Sequence, residues 1–133
     1  MVNELALPLS ILFVEDDIDL LESSKRILQD MGLSVLTADT GNKAWDILIT
    51  IRPGIVARKV VVTDIGLPDV NGLELIRRIR SLPILSSIPI IAISGEDPIA
   101  LKNAKADGAD IALQKPVEPI DLYHAIEELA RNA

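Results

Sequence analysis

The sequence predicts an α/β fold, an open parallel sheet with helices on both faces, and three observations lead there. Short apolar runs recur five times along the 133-residue chain. The segments between them place apolar residues at helical spacing, and strand and helix alternate five times, which calls for right-handed crossovers between parallel strands. The runs are ILFV at 11–14, SVLTA at 34–38, KVVVT at 59–63, PIIAIS at 89–94 and DIALQ at 110–114. Each is rich in Ile, Val and Leu without clear alternation, as expected of strands covered on both faces.

The first helix is expected over Ile18 to Met31, with Leu20, Leu21, Ser24, Ile27, Leu28 and Met31 on its inner face and Gly32 as its stop. Asp17 reads as the start of that helix, where a carboxylate favours the positive end of the dipole. Thr40 caps the second helix, in which Ala44, Trp45, Leu48 and Ile49 cluster before Pro53-Gly54 ends it. Asn71 caps the third, carried by Leu73, Ile76 and Ile79. The fourth opens on Asp97-Pro98, a cap followed by proline in the first turn, and closes at Gly108. The fifth runs from Pro119 to about Asn132 and turns Leu122, Ala125, Ile126 and Leu129 inward.

A composition of 49% hydrophobic residues with 2% aromatics describes an aliphatic core. The expectation is one domain over 1–133, with its core at about 9–130 and residues 1–8 as an N-terminal extension. A formal net charge of -7 argues against direct binding to nucleic acid or an anionic membrane, both of which need a basic footprint. The chain has no cysteine, hence no disulfide and no thiolate chemistry. The start MVNELALPLS lacks the pattern of a signal peptide, and no window has the apolar length of a membrane span, so a cytoplasmic location is expected.

In open parallel sheets, ligands gather at the carboxyl ends of the strands near the point where strand order reverses. Two strand orders are common, the nucleotide-binding one and the flavodoxin-like one, and composition does not choose between them. The first run ends in Glu15-Asp16-Asp17, the third in Asp64, the fourth in Ser94 and the fifth in Lys115-Pro116. Carboxylates held together repel one another, so such a site raises a pKa or binds a cation. Oxygen-only ligands select a hard ion such as Mg2+, and a lysine and a hydroxyl beside it suit a phosphoryl group. A carboxylate can then act as the nucleophile and form an aspartyl phosphate. Asp64 is the candidate, because it ends the central run and leads into IGLPDVNG, whose Gly and Pro shape the backbone around it. Gly95 beside Ser94 permits the close approach a phosphate requires. No G-x-G-x-x-G or G-x-x-x-x-G-K-[ST] follows the first strand, which counts against a nucleotide site.

Four segments in order, FVEDD at 13–17, TDIGLPDVNG at 63–72, AISG at 92–95 and QKP at 114–116, carry a resemblance to the response-regulator receiver domains of two-component signalling, from about Leu9 to Ala130. The resemblance implies the flavodoxin-like doubly wound (βα)5 fold with strand order 2-1-3-4-5. It implies a phosphorylation-dependent switch that controls an unknown output protein, a regulatory phosphoacceptor and not an enzyme, assisting only its own phosphorylation and dephosphorylation. Asp64 would accept the phosphoryl group from a sensor histidine kinase or a histidine phosphotransfer protein. Asp16 and Asp64 would hold Mg2+ (or Mn2+) directly, with the backbone carbonyl of Gly66 as a third ligand and Glu15 acting through water. Ser94 and Lys115 would each bind a phosphoryl oxygen, and Gly66 and Glu96 would influence the lifetime of the adduct. Pro116 is structural and in this family often follows a cis bond. The output face would be the fourth helix, fifth strand and fifth helix.

Two departures from that family stand out. The fifth-strand position that usually carries a switch aromatic is Ala112, so the signal is expected to leave through the loops after the third and fourth strands or through another face. The link RPGIVARK at 52–59 is longer than usual and carries Arg52, Arg58 and Lys59, read as a solvated loop. Ala112 sustains a second function, a receiver fold that binds partners without being phosphorylated. A phosphatase with an aspartyl intermediate would want an acid two positions after Asp64, where Gly66 stands. Asp69 reads as a turn former, and Trp45, Tyr123 and His124 as packing or surface residues.

Overall fold

The computed structural model describes residues 9–51, 59–95 and 98–132. Strands β1 (Ser10–Val14), β2 (Ser34–Ala38), β3 (Lys59–Asp64), β4 (Ile90–Ser94) and β5 (Ile111–Gln114) alternate with helices α1 (Ile18–Asp30), α2 (Gly41–Leu48), α3 (Gly72–Ser81), α4 (Pro98–Asp107) and α5 (Pro119–Asn132). Short polar side chains start the first three helices by accepting backbone N–H groups that have no partner within the helix. Asp17 Oδ1 accepts from Leu20 N at 3.2 Å, Thr40 Oγ1 from Lys43 N at 3.1 Å and Asn71 Oδ1 from Leu73 N at 2.7 Å. Gly32, with φ 96°, takes the left-handed turn that ends α1. The expected cap Asp97 and the expected stop Pro53-Gly54 lie outside the described residues.

The sheet is entirely parallel in the order β2-β1-β3-β4-β5, the flavodoxin-like doubly wound arrangement. Ile11 pairs with Val35 on one side and with Val60 on the other, which fixes β1 between β2 and β3. Strand residues alternate between two cores. Leu12, Val14, Val61 and Ala92 pack with α2, α3 and α4, whereas Phe13, Val60, Val62 and Ile93 pack with α1 and α5. Every residue of β3 is buried, and each fully buried aliphatic side chain contributes about 1.5–3 kcal/mol of hydrophobic stabilisation.

Two-sided burial holds for β1, β3 and β4 and fails at the sheet edges. β2 alternates, with Leu36 facing solvent, and β5 is only partly buried. The apolar stripe of α1 is narrower than its sequence: Leu21 and Leu28, seven apart, are buried, while Leu20 (39% exposed) and Ile27 lie at the margin of the contact. Ile49, expected within the α2 cluster, follows the last helical residue and is 52% exposed. Leu75 joins Ile76 and Ile79 in the α3 core face.

Lys59 does not belong to a solvated loop. It opens β3, is only 7% exposed, and its Nζ donates to Ser10 Oγ at 3.1 Å on the neighbouring strand. Burial pulls its ammonium below the usual lysine range. Arg52 and Arg58 lie outside the described residues. Toward the β5 edge of the sheet, Arg80 at the end of α3 donates to the carbonyls of Gly108, Ser86 and Ile88 and to Asp110 Oδ2, binding α3 to the approaches of β4 and β5. No helix among the described residues is long and apolar enough to cross a membrane.

Candidate functional site

The carboxyl ends of β1, β3 and β5 converge where strand order reverses between β2-β1 and β3-β4-β5. Each key residue is held by a backbone bond that prolongs the sheet. Glu15 N donates to Ala38 O (3.0 Å), Ile65 N to Ile93 O (3.0 Å), and Lys115 N to Ser94 O (2.9 Å). Glu15, Asp16 and Asp64 each bring a carboxylate oxygen within 4.8 Å of the others. Glu15 and Asp64 are buried and Asp16 is exposed.

Lys115 enters this cluster directly. Its Nζ lies 2.9 Å from Glu15 Oε1 and 3.0 Å from Asp64 Oδ2. Glu15 Oε2 accepts the Asp17 N–H (3.1 Å), so both oxygens of Glu15 are engaged. Asp64 Oδ1 accepts from Gly66 N at 3.2 Å. Asp16 makes no side-chain hydrogen bond or ion pair among the described residues. Its carboxylate is the one most available to a new partner.

The electrostatics are asymmetric. Burial raises the Glu15 carboxyl above the usual range, the Asp64 charge adds to this, and the Lys115 and Asp17 donors oppose without prevailing. Burial also pulls Lys115 down, but its bonds to Glu15 and Asp64 outweigh it and hold the ammonium above the ordinary lysine value. Glu15 and Lys115 also wall an apolar cavity of about 350 Å³ between α1 and the start of α5, lined by Phe13, Leu20 and Leu122 among others.

The expected residues come together with some differences of detail. Ser94 is fully buried at the end of β4. Gly95 is exposed, and a β-carbon there would meet only Lys115 at 3.8 Å, an ordinary contact, so the fold itself does not demand glycine. Gly66 is exposed with open space around it. The Lys115–Pro116 peptide is cis. Ala112 is half-buried in β5 opposite Ala92 of β4. Glu96 lies outside the described residues.

Asp17 caps α1 as its position predicts. Tyr123 packs beside the α1/α5 core with its ring 6.1 Å from that of the exposed His124, and Trp45 packs against the core of the opposite face. Asp69 does more than form its own turn: its carboxylate accepts from Gly41 N and Asn42 N, both at 2.9 Å, across 28 and 27 positions of sequence. The residue type hinted at a backbone acceptor; nothing local in sequence pointed to α2 as the donor.

An all-oxygen donor set with one exposed carboxylate fits Mg2+ or Mn2+, hard ions that take one or two carboxylates and keep other positions for water or phosphate.

The family model for the response regulator receiver domain matches residues 11–127. Among curated relatives, "Response regulator MprA" of Mycolicibacterium vanbaalenii is 34% identical over 127 residues, covering 95% of this chain. The chain spans 52% of the length of that relative. The "Uncharacterized 14.6 kDa protein in sodA1 3'region" of Leptolyngbya boryana is 32% identical over 124 residues, covering 90% of this chain and 88% of that protein. Among solved structures, the chemotaxis response regulator CheY4 of Vibrio cholerae aligns with a TM-score of 0.82 at 27% identity, over 92% of this chain and 99% of that one. A response regulator receiver domain protein from Clostridium thermocellum aligns with a TM-score of 0.83 at 28% identity, over 93% and 95%.

Proposed function

This chain belongs to the response regulator receiver domain family, and from that premise we propose that it is a phosphorylation-dependent switch whose phosphoacceptor is Asp64. Receiver domains are regulatory signalling modules that bind Mg2+ at an acidic pocket and interact with histidine kinases and output domains. The observation that carries the reading is the meeting of Glu15, Asp16, Asp64 and Lys115 at the ends of three strands.

In this reading an Asp64 carboxylate oxygen attacks the phosphorus of a phosphohistidine on a sensor kinase or phosphotransfer protein. The P–N bond breaks as the P–O bond forms, and the histidine nitrogen leaves. Asp16, Asp64 and the Gly66 carbonyl would hold Mg2+, which when bound would neutralise charge on the phosphoryl oxygens. Glu15, already engaged at both oxygens, acts through water. Lys115 is close enough to Asp64 to transfer its bond to a phosphoryl oxygen, and Ser94 receives another as the β4 end adjusts. Residues 1–133 act as one domain in the cytoplasm, controlling a partner through protein contacts, with the α4-β5-α5 surface as the first candidate output face.

Intact mass after incubation with Mg2+ and acetyl phosphate tests this. One added phosphoryl group is expected in the wild type, and none without Mg2+ or in Asp64→Asn. Ala112 favours a second reading, a receiver fold that binds partners without phosphorylation. A folded wild type that takes no phosphoryl group from acetyl phosphate or from kinases would favour it.

A further inference from the structure

The Asp69 carboxylate joins two parts of the molecule that the site alone does not connect. Its Oδ1 and Oδ2 accept the N–H groups of Gly41 and Asn42, the first two residues of α2, each at 2.9 Å. Thr40 Oγ1 accepts the next N–H, that of Lys43. The opening N–H groups of α2 are thus satisfied in sequence, two of them by a side chain from the β3–α3 loop, with a negative charge at the positive end of the helix. The loop and helix are also in close contact: a β-carbon on Gly41 would lie 2.6 Å from the Val70 carbonyl oxygen and 2.9 Å from Val70 Cβ. α2 and the loop therefore do not shift independently.

At its other end the same loop closes on the residue next to Asp64. Leu67 N and Gly72 N both donate to Ile65 O, at 3.0 and 2.8 Å. Residues 65–72 form a ring that contains Gly66 at the acid pocket and Asp69 at the outer rim. We infer that Asp69 is a positioning residue: it ties the loop carrying the Gly66 carbonyl to the first turn of α2, so that cation binding at Asp64 is both supported by α2 and felt there. This rests on the proposed reading in which the Gly66 carbonyl faces the cation. It supplies a route for the signal that does not need an aromatic at Ala112.

The chain carries its own reporter, because its one tryptophan, Trp45, sits on α2. The test is Mg2+ titration of the full 133-residue protein, followed in parallel by calorimetry and by Trp45 emission, for wild type, Asp69→Ala and Asp69→Asn. In the wild type, Mg2+ binding is expected to change the emission. In Asp69→Ala, the affinity should fall by about tenfold, as for other residues that orient ligands, and the emission change at saturating Mg2+ should disappear. Asp69→Asn, which keeps one acceptor, should show an intermediate affinity and a reduced change. If Asp69→Ala does not fold, Asp69→Asn carries the test, and a full wild-type response there overturns the inference. Mg2+ binding with a silent Trp45 in the wild type, or an unchanged affinity and response in Asp69→Ala, also overturns it. Absence of Mg2+ binding in the wild type would instead overturn the reading of the acid pocket.

Discussion

Lys115 Nζ lies 3.0 Å from Asp64 Oδ2, so the acid pocket contains its own cation. That ammonium lowers the repulsion among three carboxylates when no metal is bound, and in the proposed reading it would shift from its Asp64 oxygen to a phosphoryl oxygen once the adduct forms. Lys115→Met is expected to lower stability without Mg2+ by about 1–3 kcal/mol, with much of the loss recovered when Mg2+ is added. Thermal melts with and without the metal measure this. Equal melting temperatures for variant and wild type in metal-free buffer would show that the ion pairs carry no weight.

Asp16 is exposed and engages no side-chain partner among the described residues. Asp16→Asn should therefore leave metal-free stability within about 0.5 kcal/mol of wild type, yet weaken Mg2+ binding at least tenfold. Calorimetric titration checks the second half and a denaturant melt the first. Unchanged Mg2+ affinity would move the cation elsewhere.

Two glycines between β3 and the first residue of α3 should lose stability to very different extents on the same substitution. A β-carbon at Gly72 would overlap the Asp64 carbonyl oxygen and come 2.6 Å from Ile65 Cα, whereas at Gly66 it meets nothing within 4 Å. Gly72→Ala is expected to destabilise by about 2–4 kcal/mol, because backbone must move, and Gly66→Ala by less than about 1 kcal/mol. A pair of urea melts distinguishes them; similar losses would mean that the loop yields more readily than its bonds imply.

Lys59 should be stabilising to remove. Burial lowers its folded-state pKa below 10.5, so the folded chain holds the proton less readily than the unfolded chain. The resulting cost is fully present below the folded pKa and fades as pH rises from there to 10.5. Lys59→Met is expected to raise stability at pH 7 by about 1 kcal/mol, with the gain shrinking as the pH climbs toward that range. A gain that stays constant with pH would mean that packing, not charge, is responsible.

The order of elements and the three observed caps were legible because their signals are local: an apolar run, a Ser, Thr, Asp or Asn before a helical stripe, a glycine after it. Asp64, Glu15, Asp16 and Lys115 could be assembled from sequence because parallel strands deliver all their carboxyl ends to one edge. Edges and partners were not legible. Leu20, Ile27 and Ile49 are as apolar as their buried neighbours, and only the line along which a helix touches the sheet decides which are covered. Lys59 stands both at the head of the run KVVVT and at the end of the basic link, and only its pairing with Ser10 shows it as a buried residue of β3 and not a solvated charge. The donors to Asp69 lie 27 and 28 positions back, beyond the reach of any spacing rule.

The ion pair between Lys115 and Glu15 spans 100 positions of sequence, and β5 is made after the other four strands of the sheet. During synthesis at 5–20 residues per second, Asp64 precedes Lys115 by 51 positions, an interval of about 3–10 s. Over that interval a nascent chain holds Asp64 and its acidic neighbours without the lysine that completes the pocket. The pocket is thus completed only once the fifth strand has been made, and a stalled or truncated product lacking that strand would hold the carboxylates of Glu15, Asp16 and Asp64 without the ammonium that offsets their repulsion.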